Sequence, residues 1–302
     1  MDIYLPIAEL SVNLFVLLAL GGVIGFLSGL FGVGGGFLMT PLLIFLGVPP
    51  AVAVGSGATQ ILSTSVSGVL NHASRRGVDR RMGMVLTAGG VIGSILGVLL
   101  FTWLRRLGQI DLVVQLAYVL LLGAVGSLML GEGLVAFVRR RRPTARRGRL
   151  HQHYWLHGLP LKMRFVESRL YISALLPLGL GAAVGVLTAL MGVGGGFIML
   201  PAMIYLIGMP TTVVVGTSLL QIGIVSAFTI FLQAYTNQTV DIVLGLLLIA
   251  GGVVGAQFGA RAGARLRGEQ MRILLAVLVL AVCGKLIWDL VATPVDPFSL
   301  AG

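Results

Sequence analysis

The sequence predicts an all-α, polytopic integral membrane protein made of two inverted-topology helical repeats with short half-helices, roughly eight to ten transmembrane segments in all. Three observations carry that prediction. Hydrophobic residues make up 57% of the 302 positions and charged residues only 10%, against roughly 25% charge in a soluble domain, and the mean hydropathy is +1.02. Apolar runs of membrane-spanning length alternate with short charged breaks. One glycine cluster also occurs twice, as GLFGVGGGFLMTP from Gly29 and as ALMGVGGGFIMLP from Ala189.

Each element follows from where the apolar runs begin and stop. Taking about 20 apolar residues as one span, full-length helices are expected near residues 11–30, 50–71, 82–104 and 110–138, then near 170–190, 210–235, 240–262 and 271–291. Two shorter pieces, 37–47 and 197–208, follow the glycine clusters and stop at the proline turns GVPP and GMP. At about 1.5 Å per residue each covers roughly 17 Å, half of a bilayer core, so both are expected to be half-helices.

The halves align well beyond the opening motif. Gly32, Gly34, Gly35, Gly36, Phe37, Met39, Pro41 and Pro50 recur 160 positions later as Gly192, Gly194, Gly195, Gly196, Phe197, Met199, Pro201 and Pro210. After a one-residue slip, Gly55, Ser56 and Gln60 match Gly216, Thr217 and Gln221, and GGVIGSILG from Gly89 matches GGVVGAQFG from Gly251. The chain therefore divides into a first transmembrane repeat (1–138), a basic cytoplasmic linker (139–169) and a second transmembrane repeat (170–302). Repeats in a polytopic membrane protein are the usual architecture of secondary transporters, with the site at the repeat interface.

Charge gives the orientation. The loop after Asn71 carries Arg75, Arg76, Arg80 and Arg81, whereas its counterpart YTNQTVD carries no basic residue; the next pair of loops reverses the imbalance, with Arg105 and Arg106 against Arg261, Arg265, Arg267 and Arg272. With the linker included, eighteen of the 21 basic residues fall on one face if the second repeat is upside down, as the positive-inside rule requires. That layout makes each half-helix a crossing or a deep re-entrant leg and puts both termini outside. If each half-helix instead continues the helix before it, eight crossings and parallel repeats result, and four arginines fall on the wrong face.

The net charge of +11 is accounted for by these membrane-flanking loops, so no nucleic-acid partner is expected. The partners expected are a small anionic solute and the lipid bilayer; oligomeric state is left open. The N-terminus lacks the basic region and small-residue cleavage site of a signal peptide, so no processing is expected. A lone cysteine, Cys283, excludes an intrachain disulfide or a cysteine metal cluster. His151, His153 and His157 in HQHYWLH have a spacing that permits a metal, but the neighbouring Tyr154, Trp155 and Leu156 favour an interfacial segment. No cofactor and no metal are expected. No constellation of nucleophile, base and orienting group is visible, so the chain is not expected to be an enzyme.

The glycine clusters are the first site candidates. Non-helical backbone inside a bilayer is tolerated mainly where it lines a cavity. Glycines also let successive N–H groups converge on an anion at the start of the following helix. That puts Gly34, Gly35, Gly36 and Phe37 with Gly194, Gly195, Gly196 and Phe197 in a substrate site. The motif is not a P-loop, having no Lys-Ser/Thr after the glycines. GGVIGSILG and GGVVGAQFG read instead as close-packing helix faces. Beside the half-helices, Ser56, Gln60, Ser63 and Ser67 share one helical face, and the second copy keeps Thr217 and Gln221. Ser56, Gln60, Thr217 and Gln221 join the candidate site as uncharged donors to an oxyanion; interhelical hydrogen bonding is the alternative for the same groups. Of ten acidic residues only Glu132 lies clearly inside an expected span, which argues against a cation as cargo.

The duplicated glycine cluster with its Phe and Pro, the downstream GSGATQ and GTSLLQ, and the basic central loop resemble the TauE/SafE family of sulfite exporters across roughly residues 11–291. The resemblance implies a helical transporter that moves sulfite or an organosulfonate, in many members outward, in the bacterial inner membrane with the basic loop cytoplasmic. It places the family motif on Gly32, Gly34, Gly35, Gly36, Phe37 and Pro41, on their counterparts from Gly192 to Pro201, and on Gln60 and Gln221. The linker is longer than a minimal family loop. The expected function is thus a secondary transporter of small sulfur-containing anions working by alternating access between the repeats. The alternatives are an uptake permease for another small organic anion and a non-transporting membrane scaffold.

Overall fold

The computed structural model describes residues 2–31, 36–73, 77–139, 161–165, 167–168, 170–263 and 268–292. The chain opens with a hairpin, β1 (Asp2–Leu5) and β2 (Leu10–Asn13), and continues through α1 (Leu14–Phe31), α2 (Gly36–Phe45), α3 (Pro50–Ala73), α4 (Arg80–Arg106) and α5 (Ile110–Arg139). The second half repeats the order: hairpin β3 (Lys162–Phe165) and β4 (Leu170–Ser173), then α6 (Leu175–Met191), α7 (Gly196–Ala202), α8 (Thr211–Thr236), α9 (Ile242–Gly263) and α10 (Gly268–Val291). Helices α1, α4, α5, α8, α9 and α10 are long and apolar enough to cross a membrane. The chain is a polytopic helical membrane protein, and its helices fall where the apolar runs put them.

The hairpins were not legible in the sequence. Both are antiparallel, and the second lies across the boundary drawn between linker and second repeat, whose residues 140–160 fall outside the described residues together with their histidines. Each hairpin reaches a helix start in the other half. Asp79 N-caps α4 by accepting from Met82 N at 3.0 Å, and its other oxygen accepts from Ser168 N and Oγ in the β3–β4 turn. Asp241 does the same for α9, accepting from Leu244 N at 3.1 Å and from Ile7 N in the β1–β2 turn at 3.0 Å. Asp79 and Asp241 are 0% and 1% exposed, so two carboxylates are buried at helix starts rather than inside the spans. Both are spent on backbone N–H groups, the ordinary work of an N-cap.

Glycine sets the helix pairing. Gly21, Gly25 and Gly29 of α1 meet Leu248, Gly252 and Ala256 of α9, and Gly251, Gly255 and Gly259 meet Leu18, Gly22 and Phe26 in return. A Cβ on Gly25 would lie 2.1 Å from Gly252 O, and one on Gly255 2.0 Å from Gly22 O. The same seam joins α4 to α6: Gly89, Gly93 and Gly97 lie on Leu178, Ala182 and Val186, and Gly181 and Gly185 lie on Leu86 and Gly90. These distances are backbone on backbone, the approach that small-residue stripes allow in a bilayer, where van der Waals packing must replace the hydrophobic effect.

Residue order along the contacts gives the directions. Helices α1, α3 and α9 run one way, since Gly55 meets Thr239 and Thr59 meets Gly245. Helices α4, α6 and α8 run the other way, with Gly83 on Leu220 and Gly90 on Val225. Along the centre α3 opposes α8, with Gly68 on Leu219 but Ser65 on Gly223, and α5 opposes α10. Two apolar clusters therefore mix the halves: one joins Leu5, Leu17, Met39 and Val52 to Leu244 and Leu248, the other joins Phe165, Val184, Met199 and Val214 to Met82 and Leu86. A third cluster, containing Phe37, Phe101, Tyr118, Phe197 and Val279, bridges them. Tyr4, Phe15, Trp103, Tyr235 and Trp288 are exposed where the β1–β2 hairpin lies and where α4, α8 and α10 end, the aromatic belt of a membrane–water boundary. Arg80, Arg81, Arg164 and Arg261 belong to the opposite face.

Gly93→Ala forces Ala182 O away from a Cβ that would sit 2.0 Å from it, and overpacking of this kind costs about 1–3 kcal/mol. Gly93→Ala and Gly255→Ala should therefore lower the thermal midpoint and the monodisperse yield in detergent. Gly131→Ala, with nothing within 4 Å, should leave both unchanged.

Candidate functional site

The site is built on two broken helices. Helix α6 stops at Met191, Gly192 turns left-handed at φ 68°, and its N–H closes on Thr188 O at 2.8 Å. The remaining carbonyls of that last turn would be stranded in the protein interior, where an unmade hydrogen bond is expensive. Gln233 Nε2 donates to Ala189 O at 3.0 Å, and Thr40 Oγ1 and Tyr118 OH both donate to Met191 O, at 3.2 and 2.6 Å. Thr40 lies in α2, so the break in one half is held by the half-helix of the other.

Gly194 and Gly195 have φ of 69° and 73°, a conformation that disfavours any other residue. From Gly195 the chain enters α7, whose Ile198 and Met199 N–H turn back on Gly195 O. Pro41 and Pro201 stand four residues after Phe37 and Phe197, so the helical donor to each Phe carbonyl is missing. After Pro201 the helix widens into a π-helical turn, Met203–Ile207, which ends at left-handed Gly208.

The starts of α2 and α7 meet. The Phe37 and Phe197 rings stack with centroids 4.6 Å apart and planes 16° from parallel. A Cβ on Gly36 would lie 2.6 Å from Val193 O and against Ile61, and one on Gly194 would lie 2.4 Å from Ile61. Ile61 of α3 and Val184 of α6 thus fill the ground above the described glycines, all of which are buried. Gly34 and Gly35 lie outside the described residues.

The two glutamines do not share that centre. Gln60 points into the α1–α9 seam, donating to Gly21 O at 3.1 Å and lying against Gly252. Gln221 points into the α4–α6 seam, with Nε2 3.0 Å from where a Cβ of Gly90 would be. Ser56 and Thr217 serve the helix caps, accepting from Asp241 N at 2.8 Å and Asp79 N at 2.9 Å. The expected stripe of α3 holds only in its upper half: Ser56 and Gln60 are buried, but Ser67 is exposed and Thr64 and Ser65 are buried in its place. Sequence reasoning missed Thr40, Tyr118, Gln233, Asp79 and Asp241. Only the aspartates left a signal, each standing just before an apolar helix at the register of the repeat, as an N-cap residue does.

One family profile matches the chain. The profile described as Sulfite exporter TauE/SafE covers residues 17–286. The chain belongs to the TauE/SafE family. Relatives include a "Probable membrane transporter protein" of Xylella fastidiosa (strain 9a5c), 31% identical over 280 residues that cover 91% of this chain and 95% of that one. Another is "Probable membrane transporter protein YjnA" of Bacillus subtilis (strain 168), 27% identical over 274 residues that cover 90% and 98%. No solved structure matches the chain. As a TauE/SafE protein whose relatives carry transporter names, the chain is a multi-pass membrane transporter.

Gln60→Leu removes the one hydrogen bond that the glutamine gives to the α1–α9 seam, and Tyr118→Phe removes one of two donors to Met191 O. Each should lower stability by about 1 kcal/mol, read as a fall in thermal midpoint in detergent, and the Thr40→Val/Tyr118→Phe pair should cost more than the sum because Met191 O is then left bare.

Proposed function

We propose that this TauE/SafE protein is a secondary transporter that expels sulfite or an organosulfonate through the bacterial inner membrane, with the basic face cytoplasmic. The carrying observation is the meeting of α2 and α7 at Phe37 and Phe197. Two half-helices that begin at one point deep in the membrane bring backbone N–H groups and two positive dipole ends to a place where an anion lacks water. Gly36, Phe37, Gly194, Gly195, Gly196 and Phe197 form that crossing, Gly34 and Gly35 belong to it by sequence, and Ser56, Gln60, Thr217 and Gln221 lie away from it, at the caps and in the seams. The stacked rings and Ile61 close it in the conformation described.

The opposed directions of α3 and α8, and of α5 and α10, support inverted copies. Because α1 packs on α9 and α4 on α6, the rocking bodies in this reading are the two swapped bundles and not the two halves of the sequence. A cell interior negative by 100 mV favours outward movement of one negative charge by about 2.3 kcal/mol.

Proteoliposomes test this directly. Sulfite flux should exceed that of sulfate, thiosulfate and taurine, or taurine should lead if the cargo is an organosulfonate. In a Cys283→Ala background, Phe37→Cys/Phe197→Cys should lose flux on oxidative cross-linking and regain it on reduction. Unchanged flux after complete cross-linking would show that the half-helix starts do not part during transport. Movement of other organic anions alone would remove the sulfur-anion reading and leave the transporter.

A further inference from the structure

We propose that Thr87 and Gln221 form a hydrogen-bonding site in the seam of α4, α6 and α8 that takes an oxyanion still carrying its proton. The proposal rests on the transport reading above and adds a second position for the cargo, beside the crossing of α2 and α7, and its protonation state.

The observation is a broken symmetry. Gln60 and Gln221 occupy the same position of the two halves, and each meets a seam glycine: Gln60 lies against Gly252 and bonds Gly21, and Gln221 lies against Gly90, which packs on Gly181. Gln60 spends its amide on Gly21 O. Gln221 is 0% exposed, and neither its nitrogen nor its oxygen has a partner. Gly181 O, the counterpart of the Gly21 acceptor, lies 3.6 Å from the Cβ position of Gly90 that Gln221 Nε2 approaches to 3.0 Å, yet it receives no bond from the amide. An orphaned buried amide loses the hydrogen bonds it had with water, and the mirror seam shows how the same backbone avoids that loss.

A second polar group stands beside it. Gly83, Thr87 and Gly90 share one face of α4, and the two glycines lie on Leu220 and Thr217 and on Gln221 and Val225. Thr87 Oγ1 is buried and unpartnered; its counterpart in the first half's seam is Ile249. The polar groups continue toward the basic face through Thr217 to Asp79 and Ser168. Beyond Gln221 the buried polar groups of α8 go on through Ser226 and Thr229, whose hydroxyls are also unpartnered.

The donor set defines the ligand. An amide nitrogen and a threonine hydroxyl donate to anionic oxygens, but the amide oxygen accepts only from an O–H or N–H. A fully deprotonated oxyanion leaves it unsatisfied, whereas a hydrogen oxyanion such as hydrogensulfite pairs with both ends of the amide. Charge points the same way: no Lys or Arg is seated at this level among the described residues, and the desolvation cost of an ion grows with the square of its charge, so a monoanion enters far more cheaply than a dianion. The cargo then brings its own proton, and no side chain at this level has to relay one.

Isothermal titration on purified full-length protein in nanodiscs, with sulfite titrated across the hydrogensulfite–sulfite equilibrium, tests the site. Affinity should rise as pH falls and track the hydrogensulfite fraction, and methanesulfonate, a monoanion without the proton, should bind about tenfold more weakly. Gln221→Leu and Thr87→Val should each weaken sulfite binding about tenfold with no fall in thermal midpoint, because each removes an orphaned buried group; a purely structural role predicts a lower midpoint and unchanged affinity. Wild-type affinity in both variants, or equal binding of methanesulfonate, overturns the proposal while leaving sulfite flux in proteoliposomes to stand by itself. Wild-type protein that neither binds nor moves sulfite at any pH sinks the transport reading and this site with it.

Discussion

Contact of backbone on backbone along two glycine seams is the constraint on which the rest of this structure depends. In lipid, apolar side chains gain little by leaving the bilayer for each other, so helix pairing rests on how closely two main chains approach. Gly25 against Gly252 and Gly93 against Ala182 set that approach to the point where a single methyl group does not fit. The seams also fix which helices are partners, and they choose across the duplication: the first helix of each half takes the third long helix of the other. The hairpins follow the same exchange, the turn at Ser168 closing on Asp79 and the turn at Ile7 on Asp241. A chain duplicated in sequence has thereby become two mixed bundles, each with its own apolar cluster.

Holding the bundles in register lets the centre carry broken helices. The end of α6 exposes carbonyls that neither water nor lipid can serve at that depth, and Thr40, Tyr118 and Gln233 arrive from three other helices to serve them. Tertiary structure thus makes the glycine break tolerable, and the break in turn allows α7 to begin against α2. The prolines after Phe37 and Phe197 loosen the ladder just where the rings stack, and the π-helical turn beyond Pro201 shows the backbone yielding there.

Departures from the duplication carry as much information as the duplication does. Asp79 and Asp241, with Thr217 and Ser56 behind them, are equivalent in place and in bonding, which marks them as structural. Gln60 and Gln221 are equivalent in place but not in bonding, and the counterpart of Thr87 is an isoleucine, Ile249. Groups that keep their position while losing their partner are where a two-fold scaffold has room for a one-sided task. On the side of Gln221 the buried polar groups run from Asp79 through Thr217 to the unpartnered amide.

Composition and pattern by themselves determined the membrane as solvent, the ten helices, the half-helices after GVGGGF and the duplication, because hydropathy over about 20 residues and glycine or proline punctuation are local properties. Family membership was equally legible, since it rests on motifs along the chain. Partners were not. No local rule tells that Gly25 meets Gly252, that Gln60 and Gln221 turn outward into separate seams, or that Ser65 and not Ser67 faces inward, since helical phase relative to a neighbour is settled only when the neighbour is in place. The caps at Asp79 and Asp241 depended on short hairpins whose weak strand signal is outweighed by the helices around them. What the tertiary structure decided is which polar groups are satisfied and which are left waiting, for hydrogen bonding in a low-dielectric interior is a property of pairs and a sequence presents its residues one at a time.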